Sequence, residues 1–143
     1  MKTTVTEKAY AKINLTLDVL EVREDGYHAL KSVMQTVDLC DLVTLTKTET
    51  DGVVVTANVD NVPLDESNTV VAAVKAFEKK TGAAVGGLTI HLEKNIPVAA
   101  GVGGGSSDAA AVLRGLDSLF GTNMPVSELA KVGLDVGSDV PFC

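Results

Sequence analysis

The stretch from Pro97 to Ala111 holds the residue types best suited to chemistry in this chain. It reads Pro-Val-Ala-Ala-Gly-Val-Gly-Gly-Gly-Ser-Ser-Asp-Ala-Ala-Ala. Glycine tolerates positive φ and lets a backbone approach a ligand closely. A helix that begins just after such a loop directs free N–H groups and partial positive charge towards it, which favours phosphate. A helix cap alone would explain the serines but not the glycine cluster. The predicted phosphate-binding residues are Pro97, Gly101, Gly103, Gly104, Gly105, Ser106 and Ser107.

Two common phosphate-binding motifs do not fit this stretch. A P-loop ends in Gly-Lys-Ser or Gly-Lys-Thr, whereas Gly105 is followed by Ser106. A dinucleotide-binding motif started from Gly101 or Gly103 would need a glycine at position 106 or 108, and an acidic residue at the end of the next strand. Neither is present, so the sequence predicts a different class of phosphate loop.

Asp139 is a candidate general base. Gly137 precedes it and Pro141 follows it, which predicts a fixed turn. A carboxylate in such a turn can accept the proton of an alcohol during phosphoryl transfer. An aspartate that merely forms the turn explains the same pattern equally well, so both interpretations stay open on spacing alone.

Other polar residues are ambiguous on sequence alone. Lys12 is best explained as a solvated strand residue. Tyr27 and His28 follow Asp25-Gly26, and the pattern favours an incidental hairpin turn over a base-binding pair. His91 alternates with apolar neighbours and is interpreted as a structural or surface histidine.

Composition narrows the class of protein. The chain has 143 residues, 45% of them hydrophobic, and a net charge of −7, which suits one folded domain with a real core. An acidic chain is a poor nucleic-acid binder, although one loop can still bind a nucleotide.

The start of the sequence has no apolar segment typical of a signal peptide, and no apolar run is long enough to span a membrane. Cys40 and Cys143 have no metal-ligand spacing and are expected to be reduced thiols in the cytoplasm.

The elements that must position these residues come in the order strands, helix, strand, helix, helix, which is not a regular alternation of strand and helix. Residues 12–19 alternate strictly, which places Ile13, Leu15, Leu17 and Val19 on the core side and Lys12, Asn14, Thr16 and Asp18 opposite. A helix capped by Ser67 or Asn68 is expected to end at Gly82, and Ser127 is expected to cap the last helix. The sequence predicts an α+β fold with a mainly antiparallel sheet, built from strands at 12–19, 30–37, 42–47, 53–57 and 88–93 and helices at 69–80, 107–120 and 127–134.

Three segments together resemble the GHMP kinase family. Ala9-Tyr10-Ala11-Lys12-Ile13-Asn14-Leu15 resembles its first motif, the glycine stretch its second, and Gly137-Ser138-Asp139-Val140-Pro141 the segment with its catalytic aspartate. The resemblance implies the two-layer fold of ribosomal protein S5 domain 2. It also implies that residues 1–143 form the N-terminal domain of an enzyme whose C-terminal domain, with a third glycine-rich motif, lies outside this chain.

The resemblance implies roles for individual residues. Asp139 would be the base, Lys12 would keep its carboxylate ionised, and Asn14 would bind the acceptor. Asn68 and Lys94 would join the glycine stretch in binding ATP. Ser107 would help to hold Mg²⁺, and Asp108 is expected to point away or to reach Mg²⁺ through water.

The segment Asp25-Gly26-Tyr27-His28 resembles the family members that phosphorylate the 2-hydroxyl of 4-diphosphocytidyl-2-C-methyl-D-erythritol. Tyr27 and His28 would then bind the cytosine by stacking and hydrogen bonding. The alternatives are a kinase of the homoserine or mevalonate type, and a nucleotide-binding module without turnover. The expected partners are small molecules, not nucleic acid or membrane.

Overall fold

The structure is a computed structural model that describes residues 3–22, 28–96, 104–137 and 139–143, without the side chains of 13–22 and 28–35. Strands come first along the chain and helices dominate its second half. Within the described ranges, every helix is too short or too polar to cross a bilayer. In chain order the elements are β1 (Thr4–Val22), β2 (His28–Thr48), β3 (Val53–Ala57), α1 (Thr69–Thr81), β4 (Gly87–Glu93), α2 (Gly104–Phe120) and α3 (Val126–Val136).

The four strands form one sheet in the order β1-β2-β4-β3. β2 pairs antiparallel with β1 and with β4, whereas β3 pairs parallel with β4. The predicted α+β fold with a mainly antiparallel sheet is therefore confirmed. Because side chains alternate across a strand, Leu45 and Ile90 are buried on one face, while Thr44 and His91 lie on the other.

The helices cover the buried face of the sheet. α2 packs against β1 and β2, and α1 packs against both α2 and α3. Gly115 lets α2 approach closely, because a Cβ there would lie 2.8 Å from Leu45 Cδ1. Among the described residues, the buried core between the two layers is aliphatic apart from Phe77, in a sequence of which only 3% is aromatic. The arrangement is a two-layer fold.

The first two strands are longer than predicted. The predicted strands at 30–37 and 42–47 form a single strand, β2, because Cys40 and Asp41 between them continue the pairing with β1. Tyr10 pairs with Cys40 but Lys12 pairs with Thr36, so three residues of β2 stand opposite Ala11 alone. Such a bulge bends a strand and redirects its side chains.

The bulge corrects the predicted position of Lys12. Strict alternation places Lys12 on the polar face, yet Ala11 and Lys12 are both buried, with Lys12 only 4% exposed. The local irregularity turns the ammonium inward instead of into solvent. Alternation alone could not predict this, because the extra residues lie on the partner strand.

α1 begins and ends as predicted. The Asn68 side chain accepts a hydrogen bond from the Val70 N–H, and Gly82 ends the helix with φ of +70°. An amide cap and a left-handed glycine are the usual signals for these positions. The predicted surface role of His91 also fits, because its Nδ1 lies 2.7 Å from the exposed Thr56 hydroxyl.

Two predicted helix starts are wrong. α2 begins at Gly104 instead of near Ser107. Gly104 and Gly105 therefore belong to the first turn of the helix, and neither has a positive φ. A Cβ on Gly104 would lie 3.1 Å from Ile96 Cγ2, so this glycine allows close packing. α3 is capped by Pro125, not Ser127; the Pro125 carbonyl accepts from the N–H groups of Glu128 and Leu129.

Candidate active site

An ion pair joins β1 to the turn that follows α3. The Lys12 Nζ lies 3.2 Å from the Asp139 Oδ2, and the lysine is buried while the aspartate is 48% exposed. The carboxylate thus has one side against an ammonium and another open to solvent. This arrangement suits a group that must stay charged and still reach a substrate.

The turn that carries Asp139 is anchored by apolar packing. Val140 is buried and lies directly against α3, since a Cβ on Gly133 would approach Val140 Cγ1 to 2.8 Å. The Phe142 N–H donates to the Asp139 carbonyl at 3.2 Å, which closes the turn. The fixed turn predicted around Asp139 is therefore present.

Cys143 connects this ion pair to the first turns of α2. Burial raises the pKa of its thiol; the ammonium of Lys12 and a hydrogen bond with Ser107 lower it, whereas the Asp139 carboxylate raises it further. The Arg114 guanidinium donates to the Cys143 carbonyl at 3.0 Å. The structure thus brings Lys12, Asp139 and the buried Ser107 to one place.

A cavity of about 210 Å³ lies between the N-termini of α1 and α2. The Thr69 hydroxyl donates to the Gly105 carbonyl at 2.9 Å and joins the two helix starts. Free N–H groups and partial positive charge at helix N-termini favour an anion here. Four predicted ATP-binding residues line this cavity: Asn68, Lys94, Gly104 and Gly105.

Lys94 is enclosed by two carboxylates that the sequence did not connect. Its Nζ donates to the Asp41 Oδ2 at 2.5 Å and to the Asp108 Oδ2 at 2.7 Å, and all three side chains are buried. Burial would lower the pKa of Lys94, but the bonds to Asp108 and Asp41 outweigh it and raise that pKa. We name this set the Asp41–Lys94–Asp108 cluster.

The two carboxyl groups of the cluster differ. Burial and the neighbouring Asp41 raise the pKa of Asp108 to about 8, against the opposing effect of Lys94. Burial would also raise the pKa of Asp41, but hydrogen bonds from Asp108, Ile96, Lys94 and Asn95 hold it below its usual value. Asp108 is 2% exposed and lines the cavity between α1 and α2, so the prediction that it points away is wrong, while a contact with Mg²⁺ through water stays a prediction.

The other predicted site residues lie partly outside the described structure. Pro97, Gly101, Gly103 and Tyr27 fall in segments that it does not describe. Asn14 pairs with Met34 and His28 with Val22, but only their backbones are described. Ser106 is half-buried in the first turn of α2.

Sequence reasoning missed Asp41 as a site residue. It lies in what looked like a break between two strands, and its partners Lys94, Asn95 and Ile96 are more than fifty residues away. Among the described residues, no three His, Cys, Asp or Glu side chains group as a metal site.

Comparison with known proteins gives consistent matches. The family model for the GHMP kinases N terminal domain matches residues 68–143. The chain is 52% identical over 136 residues to the 4-diphosphocytidyl-2-C-methyl-D-erythritol kinase of Caldicellulosiruptor saccharolyticus, covering 95% of this chain and 47% of that protein. The kinase of the same name from Clostridium tetani is 54% identical over 136 residues, with 95% and 48% covered.

Solved structures agree with the sequence matches. A crystal structure of 4-(cytidine 5'-diphospho)-2C-methyl-D-erythritol kinase superposes with a TM-score of 0.79 and 36% identity, over 96% of this chain and 48% of that one. A homoserine kinase from Cytophaga hutchinsonii, at 24% identity and a TM-score of 0.73 over 95% of this chain and 41% of that one, shares the fold. The chain spans about half the length of the curated relatives that it matches. Because the family model matches more than half of its residues, the chain belongs to the GHMP kinase family.

Proposed function

We propose that this chain carries the phosphate-binding and catalytic residues of an ATP-dependent kinase that phosphorylates the 2-hydroxyl of 4-diphosphocytidyl-2-C-methyl-D-erythritol. The observation that carries the proposal is the 3.2 Å pair between the buried Lys12 and the half-exposed Asp139. The relatives that are 52% and 54% identical bear the name of this kinase, which supports the choice of acceptor.

In this proposal Asp139 accepts the proton of the acceptor hydroxyl as the γ-phosphoryl group is transferred in line, without a phospho-enzyme. A positioned base of this kind contributes about 10²- to 10⁴-fold to a rate. Lys12 stabilises the ionised carboxylate and fixes the direction in which its free oxygen points. Phosphoryl transfer depends mainly on positioning and charge stabilisation. Asp139 would position the acceptor hydroxyl, and Lys12 would stabilise the charge of Asp139.

The N-terminus of α2 is the proposed binding site for the ATP phosphates. Gly104 and Gly105 present backbone N–H groups, and Asn68 and Lys94 form other walls of the same cavity. Ser106 and Ser107 follow in the first turns of the helix. Pro97, Gly101 and Gly103 stay proposed members of this site on the sequence alone.

Mg²⁺ is the metal that accompanies ATP in such reactions. It keeps several waters and takes one or two protein oxygens beside the phosphate oxygens, and it neutralises charge on the phosphates. The described residues include the Ser107 hydroxyl, a suitable oxygen in the first turns of α2, which fits this modest requirement. We therefore propose Ser107 as the protein oxygen nearest the metal–phosphate unit.

The acceptor site would use Asn14, Tyr27 and His28. Asn14 follows Lys12 in β1 and is proposed to bind the acceptor, while Tyr27 and His28 are proposed to bind cytosine. The relatives are about twice as long as this chain, so we also propose that residues 1–143 act as an N-terminal domain beside a C-terminal GHMP domain. A cytoplasmic location is proposed for this metabolic reaction.

The proposal is tested by a comparison of acceptors. The protein, at the full length of its relatives, is supplied with Mg-ATP and either 4-diphosphocytidyl-2-C-methyl-D-erythritol, homoserine or mevalonate, and phosphorylated product is measured. We expect kcat/KM for the cytidine compound to exceed the others by at least about 100-fold, since a site built for polar groups discriminates strongly. Preference for homoserine or mevalonate, or ATP binding without any product, would contradict the proposal.

A further inference from the structure

Asp41 is fully buried and accepts hydrogen bonds at both carboxylate oxygens. Its Oδ1 accepts from the N–H groups of Asn95 at 2.7 Å and Ile96 at 2.8 Å, and its Oδ2 accepts from the Lys94 ammonium at 2.5 Å. One side chain of β2 therefore holds three consecutive residues that follow β4. Asp41 is not among the residues that line the cavity between α1 and α2.

Two of the residues that Asp41 holds are at that cavity: Lys94 lines it, and Ile96 lies against Gly104, which also lines it. Lys94 lines the cavity, and its ammonium also bonds to Asp108 in α2. The Cβ position of Gly104 lies 3.1 Å from Ile96 Cγ2 and 3.5 Å from Lys94 Nζ. A small displacement of residues 94–96 would therefore change the space at the first turn of α2.

A buried carboxylate is a costly way to hold a loop. Replacing buried charged groups by well-packed apolar ones is often neutral or stabilising, so an ion pair in the interior is weak evidence for stability alone. What Asp41 supplies that an apolar residue could not is direction, because two backbone N–H groups and one ammonium must all face the same carboxylate. The lowered pKa of Asp41 means that it does so as an anion at neutral pH.

We propose that Asp41 is a positioning residue for nucleotide binding: it fixes Lys94 and the backbone of Asn95 and Ile96 against the first turn of α2 without touching the ligand. This inference rests on the proposed function, because it takes the ligand of the cavity to be ATP. The Asp108 carboxyl alone cannot replace Asp41, since it holds the lysine from the α2 side only. Without Asp41, Lys94 keeps a partner but loses its fixed direction.

The test replaces Asp41 by asparagine and compares it with a matched variant. Asp117 also accepts a backbone N–H, from Met124 at 2.8 Å, and a hydroxyl from Thr122 at 2.5 Å, but at the opposite end of α2. Asp41→Asn and Asp117→Asn therefore both remove a charged acceptor of hydrogen bonds, the first beside the start of α2 and the second near its end. For each, in the protein at the full length of its relatives, ADP affinity is measured by calorimetry, KM for ATP and for the acceptor by kinetics, and Tm by thermal unfolding.

We expect Asp41→Asn to raise the ADP Kd and the ATP KM by about 10-fold, by analogy with groups that orient metal ligands, whose loss costs about 10- to 100-fold. The acceptor KM and the Asp117→Asn affinities should stay within about 2-fold of the original protein. Asp41→Glu, which keeps the charge but shifts its oxygens by a methylene, serves as a second variant if Asp41→Asn does not fold. It should give a smaller rise in ATP KM at an unchanged acceptor KM.

Two results would overturn the inference. One is an unchanged ATP KM in a folded Asp41 variant. The other is a rise in KM that is equal for ATP and for the acceptor and that grows with the fall in Tm in both the Asp41 and the Asp117 variants. The first would leave Asp41 with no effect on the site, and the second would make its role structural only. Failure of the proposed function is distinct, because there the unsubstituted protein itself would bind no ADP or form no product.

Discussion

At the scale of single residues, two lysines are held in different ways. Lys12 faces one half-exposed carboxylate, Asp139, which leaves that carboxylate free to meet a substrate. Lys94 lies between two buried carboxylates, so the cluster would carry one excess negative charge if both were ionised. The pKa of Asp108 near 8 means instead that Asp108 is largely protonated at neutral pH and that the cluster is close to neutral.

This protonation makes stability depend on pH. The pKa of Asp108 is about 8 in the folded state and 3.8 for the free side chain, so the folded state binds more protons between these values. Stability is therefore highest at the acid end of that window and falls as pH rises through it, by up to about 1.4 kcal/mol per pH unit. Asp108→Asn has no proton to lose and should show a shallower fall.

Urea unfolding at several pH values between about 5 and 8 measures the effect. Asp135→Asn is the control, because Asp135 is exposed at the end of α3 and should leave the slope unchanged. The same slope in the original protein and in Asp108→Asn would contradict the assigned protonation.

At the scale of elements, the site is made where two helices begin. The cap of α1 could be predicted from Asn68 and Gly82, because capping signals are local in sequence. The start of α2 could not be predicted in this way, because it depends on a tertiary contact. Gly104 has no side chain, and this leaves room for Ile96 beside the first turn of the helix. The bulge that buries Lys12 was equally hidden, because its extra residues belong to β2.

Some residues of the candidate site could be predicted from the sequence, whereas others depend on tertiary contacts. The resemblance to GHMP kinase motifs pointed to Lys12 and Asp139, which lie far apart in the chain and which spacing alone could not join. No local pattern marked Asp41, because its hydrogen-bond partners are distant in sequence. The pairing of β2 with β4 brings Lys94, Asn95 and Ile96 next to its carboxylate. Sequence therefore predicted the fold class and most element positions, and tertiary packing supplied the buried cluster.

Gly104→Val tests the role of the helix start. A side chain at this position would enter the contact with Ile96 and Lys94 and the adjacent cavity. We expect ATP affinity to fall by at least about 10-fold, because each 1.4 kcal/mol lost to such a clash is a factor of ten. Nucleotide titration and thermal unfolding measure affinity and folding separately.

Gly121→Val is the matched control at the other end of α2. Gly121 has φ of +61° and open space around it, so valine there should strain the backbone and lower Tm while nucleotide affinity is kept. If Gly104→Val folds and binds ATP normally, the start of α2 is a packing feature and not a phosphate site.

At the scale of the whole molecule, the proposed reaction joins distant parts of the chain. The proposed base lies in the turn after α3, its lysine in β1, and the proposed nucleotide cavity between α1 and α2. The relatives are about twice as long as this chain, and phosphoryl transfer needs water to be excluded and two substrates to be oriented. Phosphoryl transfer is therefore best measured in the protein at that full length.

The most direct test of the account is the turnover of Asp139→Asn with Mg-ATP and 4-diphosphocytidyl-2-C-methyl-D-erythritol, with Asp135→Asn as the control four residues away. Asparagine keeps the shape of the turn but cannot accept the hydroxyl proton. We predict that kcat falls by about 10² to 10⁴-fold while the Kd for ATP stays within about 2-fold and Asp135→Asn behaves as the original protein. A kcat for Asp139→Asn close to that of the original protein would contradict the account and remove Asp139 from the mechanism.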